Sequence, residues 1–115
     1  MSIDSILKQK SMAFAKRIVR LFQYLTQEKK EFVMSKQLLR SGTSIGANIA
    51  EAIYGSSRKD FVAKLCIAEK EAAETLYWLE LLRSCEYIPG ELSASFEKDC
   101  KALLSMLAAS IKTCS

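Results

Sequence analysis

Gln37–Ala52, QLLRSGTSIGANIAEA, is the stretch on which the reading of the fold turns. Between Arg40 and Glu51 it runs ten residues without a charge, most of them small. Wound at about 3.6 residues per turn, Leu38, Gly42, Ile45, Ile49 and Ala52 make one apolar stripe. Gln37, Ser41, Ser44, Asn48 and Glu51 make a second, small or polar stripe. Leu39, Thr43, Gly46, Ala50 and Ile53 make a third that is apolar again. A helix with so little charge around its circumference is covered on more than one side. In a chain of 115 residues, a second copy is expected to supply part of that cover. Gly42 and Gly46 each cost about 1 kcal/mol against Ala in mid-helix, a loss that close approach of a neighbouring backbone would offset. Their G-x-x-x-G spacing is interrupted by Thr43 and Ser44 and followed by Asn48, so it reads as helix contact in a water-soluble core.

Working outward, the same 3.6-residue period continues on both sides. Leu7, Phe14, Ile18, Phe22 and Leu25 predict a first helix over about 4–28, capped by Ser2 or Asp4. The charged TQEKKEF at Thr26–Phe32 follows as a linker. Ser35 reads as the N-cap of the second helix, 35–54, with Met34 as a hydrophobic staple. Gly55 stands where that helix should end, and Ser57 and Asp60 have the spacing of a capping box for a third, 58–85. On it Phe61, Leu65, Ala68, Ala72, Leu76, Leu79 and Leu82 or Arg83 repeat at threes and fours, the seam of a left-handed bundle. Tyr77 and Trp78 cannot both enter one core, so one of them is expected at a subunit contact. Ile88-Pro89-Gly90 breaks the chain before a fourth helix, 91–112, with Leu92, Phe96, Leu103, Leu107 and Ile111 inward. Short connections make consecutive helices antiparallel. The expectation is an all-α, up-down-up-down four-helix bundle in one domain over 1–115.

Composition supports that expectation and narrows function. Half the residues are hydrophobic, with one Pro and four Gly, which excludes disorder and favours long helices. No run of about 18 apolar residues is present to span a bilayer, and the N-terminal MSIDSILKQKSM carries charges where a signal peptide has its apolar region. A cytoplasmic protein with no membrane partner is expected. Cys66, Cys85, Cys100 and Cys114 form no C-x-x-C pair, and the chain has no His, so free, buried or half-buried thiols are expected and no metal. Absence of His also removes Ser-His and Cys-His nucleophile pairs and the E-x-x-H iron sites of other bundles. No phosphate-cradling G-x-x-x-x-G-K-[ST] loop occurs, and no carboxylate pair stands out. Neither catalysis nor a cofactor is expected.

Charge is placed unevenly. Residues 1–40 hold nine Lys and Arg against three acids, whereas residues 41–115 hold eight against ten. At 100° per residue, Lys10, Lys16, Arg17 and Arg20 fall within about 120° of one another on the first helix. Such a stripe is either the solvated side of an amphipathic helix or a set of phosphate contacts.

From Gln37 to Ala68 the pattern is specific. QLLRSGTSIGANIAEA, then Ser56-Ser57-Arg58, Phe61, Leu65 and Ile67-Ala68, resembles the four-helix bundle proteins encoded in 23S rRNA intervening sequences, also labelled S23-type ribosomal proteins. It is similar as well to the accessory variability protein of diversity-generating retroelements. Ser44-Ile45 with Asn48-Ile49-Ala50-Glu51 matches the family's S-I-x-x-N-I-A-E signature. Where the family carries Gly after that Glu, this chain has Ala52, and its Gly comes at Gly55. The resemblance implies an antiparallel bundle assembled as a homopentamer, without enzymatic activity, binding RNA or a protein such as a reverse transcriptase. Carried residue by residue, it marks Ser44, Gly46, Asn48 and Glu51 as structural or interface positions. Arg58 is the matched basic one. Asn48, Glu51 and Arg58 either satisfy one another's neighbourhood, with Arg40 or Arg58 answering Glu51, or Arg40 and Arg58 face a ligand phosphate. Two functional classes stand: an RNA-binding oligomer using Lys10, Lys16, Arg17, Arg20, Arg40 and Arg58, and a protein-interaction or assembly subunit that binds no nucleic acid.

Overall fold

Four α-helices make up the computed structural model, which describes residues 2–114: α1 (Ile3–Gln27), α2 (Met34–Ile53), α3 (Arg58–Ser84) and α4 (Gly90–Cys114). The architecture is the antiparallel up-down-up-down bundle, within extents of 43 × 22 × 21 Å. Dense seams join α1 to α2, α2 to α3 and α3 to α4, and α1 closes on α4 through a far thinner one. Each boundary lies within two residues of expectation, and α4 is the helix that runs longer.

The core follows the apolar stripes with a shift of one position in several places. Leu7, Phe14, Ile18 and Leu25 are buried in α1, but Leu21 takes the central place expected of Phe22. In α3 the buried series is Leu65, Ala68, Ala72, Thr75, Leu79 and Leu82, so Thr75 displaces Leu76. Thr75 is tolerated there because its Oγ1 lies 3.0 Å from Ser41 Oγ and 2.8 Å from the Glu71 carbonyl, which satisfies a buried hydroxyl. In α4, Cys100 joins Phe96, Leu103 and Leu107 inside. Burial pushes its thiol up to about 12, with Asp99 and Glu97 adding to the effect. All four cysteines are free; Cys85, expected under cover, is exposed because it caps α3 one residue past the last turn.

Two helix ends depart from the capping expected. Ser35 is not the N-cap of α2; that position is Val33, whose side chain accepts no bond. Glu31 caps the helix instead. Its Oε2 accepts from the amides of Val33 and Met34, each at 3.1 Å, and its Oε1 from that of Ser35 at 2.7 Å. Ser35 Oγ in turn donates to the Glu31 carbonyl at 2.8 Å. Burial alone would raise the Glu31 carboxyl, but these amides outweigh it and hold it below its ordinary value. Ser2 caps α1 and Ser57 caps α3, each accepting from the amide three residues on. Asp60, one methylene shorter than the usual Glu, accepts from Ser56 Oγ at 3.1 Å and so completes no reciprocal box.

Lys30 and Glu86, one in each upper turn, adopt left-handed φ values of 55° and 65°. Each reverses the chain so that the next amide bonds back into the helix just ended, Glu31 to Leu25 O and Tyr87 to Leu82 O, both at 2.9 Å.

Candidate functional site

α1 carries Lys8, Lys10, Lys16, Arg17 and Arg20 against a single acid, Asp4, so its balance equals the +4 of the whole chain. The amphipathic period that buries Leu7, Phe14, Ile18 and Leu21 turns these cations outward. Lys8, Lys10, Lys16 and Arg20 are exposed, and none meets a carboxylate among the described residues. Lys8, which was not among the expected contacts, lies beside the others: Ser5, Lys8, Met12, Lys16, Arg17 and Arg20 border one shallow depression. The Lys8 ammonium sits 3.5 Å from Tyr54 Oη and 5.4 Å from the centroid of that ring.

Arg17 stands apart from its neighbours. Its Nη1 donates to Asp99 Oδ2 at 2.6 Å, its Nη2 donates to Ser95 Oγ at 2.9 Å, and its guanidinium lies 4.0 Å from the Phe96 ring centroid. Ser95 and Asp99 are four apart on α4, which places both on the face opposite Arg17. That spacing was the one sequence signal for the pairing. Arg17 thereby bridges the thin α1–α4 seam and divides it into two hollows. Toward one end lie Lys10, Ala13, Phe14, Ala102 and Leu103; toward the other, Arg20, Leu21, Tyr24, Leu92 and Phe96.

The remaining basic candidates are elsewhere. Arg40 lies on the α2–α3 seam, diagonally across the bundle from Arg17, and is engaged by both Glu71, at 3.1 Å, and Glu74. These carboxylates, Glu74 foremost, hold the Arg40 guanidinium above its ordinary value. Glu74 is held below its own, first by the Trp78 indole N–H donating at 2.9 Å and then by Arg40. Glu71 and Glu74 are thus a built acceptor for Arg40. Arg58 is exposed at the start of α3, beside Lys59, Val62, Ala63 and Cys114. The structure therefore brings Lys10, Lys16, Arg17 and Arg20 onto one helix face and leaves Arg40 and Arg58 outside it.

The signature residues of α2 have local partners. Ser44 Oγ donates to the Arg40 carbonyl at 2.6 Å, and Asn48 Nδ2 donates to the Ser44 carbonyl at 2.8 Å. Glu51 pairs with Lys64 at 2.8 Å, rather than with Arg40 or Arg58. Gly46 faces Ser11 of α1, and between them runs an apolar groove bordered by Met12, Ala15, Thr43, Ala47 and Ala50. Among the described residues no group of three or more Cys, Asp or Glu is placed to hold a metal ion, and no helix is long and apolar enough to cross a membrane.

Fold and site together define an all-α bundle whose excess of positive charge is concentrated on one helix, α1. The chain belongs to the family of 23S rRNA-intervening sequence proteins, whose profile matches residues 4–109. It is similar to a crystal structure, determined at 1.70 Å, of a protein of unknown function from the S23 ribosomal protein family of Bacteroides thetaiotaomicron VPI-5482. The two are 55% identical with a TM-score of 0.95, over 96% of this chain and 99% of that one. No curated protein matches the chain.

Proposed function

We propose that this protein is a non-enzymatic RNA-binding bundle that meets phosphate through the outward face of α1. One observation carries the reading. The other helices nearly balance their charges, two cations to one acid in α2, five to five in α3 and three to three in α4, whereas α1 sets five cations against Asp4 alone, and its Lys10, Lys16 and Arg20 have no carboxylate partner among the described residues. Like charges held together on one helix repel unless an anion neutralises them. Arg40, neutralised by two acids, has a structural role in this reading, and Arg58 is a peripheral contact.

The family resemblance adds assembly as a homo-oligomer, a ring of five, which would repeat the α1 face around an axis. The groove between α1 and α2 supports a contact between copies, since Met12, Ala15, Ala47 and Ala50 leave apolar surface beside Gly46. The protein-interaction reading has its own support at the upper turn, where Val33 is 75% and Phe32 52% exposed.

Light scattering and titration of a labelled RNA hairpin at low and at physiological salt test both parts. An oligomer whose RNA affinity falls steeply with salt is expected. Replacing Lys10, Lys16 and Arg20 together with Gln should abolish most of that binding with the melting temperature kept. Gly46→Leu, which fills the groove, should lower the solution mass. An oligomer indifferent to RNA would select the protein-interaction reading.

A further inference from the structure

The thin α1–α4 seam opens, beyond Arg17, into a hollow of about 320 Å³. Leu21, Leu92 and Phe96 give it an apolar floor, and Tyr24 stands beside them on α1. Its rim is cationic. Arg17 lies over the Phe96 ring, Arg20 reaches the hollow without a carboxylate partner among the described residues, and the Lys29 ammonium is 6.0 Å from the Tyr24 ring centroid. Lys16 lies one turn from Arg20 on the same helix.

An apolar, aromatic floor inside a ring of cations complements one kind of anion. A regular duplex stacks its bases away and offers a helix face little besides phosphates and groove edges, for which no such floor is needed. An unpaired nucleotide offers a flat π face flanked by phosphates, which stacks on aromatic rings and guanidinium planes. We propose that the hollow lined by Leu21, Tyr24, Leu92 and Phe96 receives a base of unpaired RNA, whose flanking phosphates lie on Lys16, Arg20 and Lys29. This rests on the RNA-binding reading above and specifies single-stranded RNA as its target. The base would lie against Tyr24 and the apolar floor, with the Arg17 guanidinium, fixed by Asp99 and Ser95, as a planar wall.

Fluorescence anisotropy with labelled oligo(U), oligo(A) and a blunt RNA duplex of equal length tests this on the intact protein. Both single strands should bind at least about tenfold more tightly than the duplex. Tyr24→Leu should weaken single-strand binding by about tenfold with the duplex unaffected, and Tyr24→Phe should keep parental affinity. Replacing Lys16 and Arg20 with Gln should instead weaken both RNAs and reduce the single-strand salt slope by about 0.7 for each phosphate no longer neutralised. Crosslinking of 4-thiouridine-substituted oligo(U), mapped by mass spectrometry, needs no variant and should mark peptides containing Tyr24 or Phe96. Salt-sensitive RNA binding with no preference for the single strand, or with Tyr24→Leu folded and equal to the parent, would overturn the base site and leave the RNA-binding function standing. Crosslinks confined to other helices would do the same. Failure of all three RNAs to bind would overturn the function itself, and this inference with it.

Discussion

Gly42 and Ile18 are packed so that a Cβ on the glycine would stand 2.9 Å from both Cγ1 and Cγ2 of the isoleucine and 3.1 Å from Cδ1. Ile18 is fully buried, and the atoms in the way are those at its β-branch, which cannot swing aside as a chain end would. At Gly46 the nearest obstacle is Ser11 Oγ at 3.3 Å. The first glycine of the pair therefore sets how closely α1 and α2 approach.

Gly42→Ala should destabilise the bundle by about 1–2 kcal/mol, the overpacking cost exceeding the gain in helix propensity. Gly46→Ala should stay within about 1 kcal/mol of the parent, because there the propensity gain meets a milder contact. Thermal and urea unfolding of the two variants side by side checks the order, and a Gly42→Ala protein as stable as Gly46→Ala would refute the packing argument.

Glu31→Gln should cost about 1 kcal/mol at neutral pH, as loss of a helix cap does. The carboxyl sits below its ordinary value of 4.5 in the folded protein, so the unfolded chain takes up its proton first as pH falls. Its stabilisation is complete above that ordinary value and fades as pH drops through the folded one. Urea midpoints of parent and variant should accordingly converge in acid; a gap that stays constant to low pH would assign the cap to something other than the charged carboxylate.

Lys30 and Glu86 hold left-handed backbone that costs a residue with a side chain about 1 kcal/mol relative to glycine. Lys30→Gly and Glu86→Gly should each raise stability by up to about 1 kcal/mol, the looser unfolded chain taking back part of the gain. A lower melting temperature in both would show that side-chain contacts of these turns outweigh their backbone strain.

Alkylation by iodoacetamide at mildly alkaline pH should label Cys85 within the native protein and spare Cys100. Cys85 is exposed, whereas Cys100 is fully buried, its Sγ 3.3 Å from the Ala72 carbonyl and its thiol pushed up to about 12. Mass spectrometry of peptides after brief labelling distinguishes them, and equal modification at the two positions would mean that α4 opens readily.

The helices were legible because each buries a stripe at helical spacing, and such periodicity survives without any knowledge of neighbours. What it does not give is phase to within one residue. Phe22 and Leu21, or Leu76 and Thr75, lie about 100° apart on a helix, and the choice depends on what faces them. Thr75 is inside because Ser41 meets it across the α2–α3 seam, a fact about two segments at once. The α1 cationic stripe could be read from spacing alone. That Arg17 would be tied down by Asp99, and Arg40 by Glu71 and Glu74, could not, since each pair joins different helices. Glu31 escaped notice for another reason: it caps α2 from before the N-cap, where a Ser at the first turn offered the more familiar pattern.

The thin closure between α1 and α4 also bears on how the chain reaches this state. Every dense seam joins helices consecutive in sequence across a short turn, so most of the native packing forms within helical hairpins at small loop-closure cost. The one pairing that must draw together the two ends of the chain contributes least to the packed core. Such an order of assembly belongs to rapid folders, and it lets α1, α2 and α3 settle as they are synthesised. The Arg17 bridge to Asp99, which needs both α1 and α4 in place, is expected among the later interactions to form.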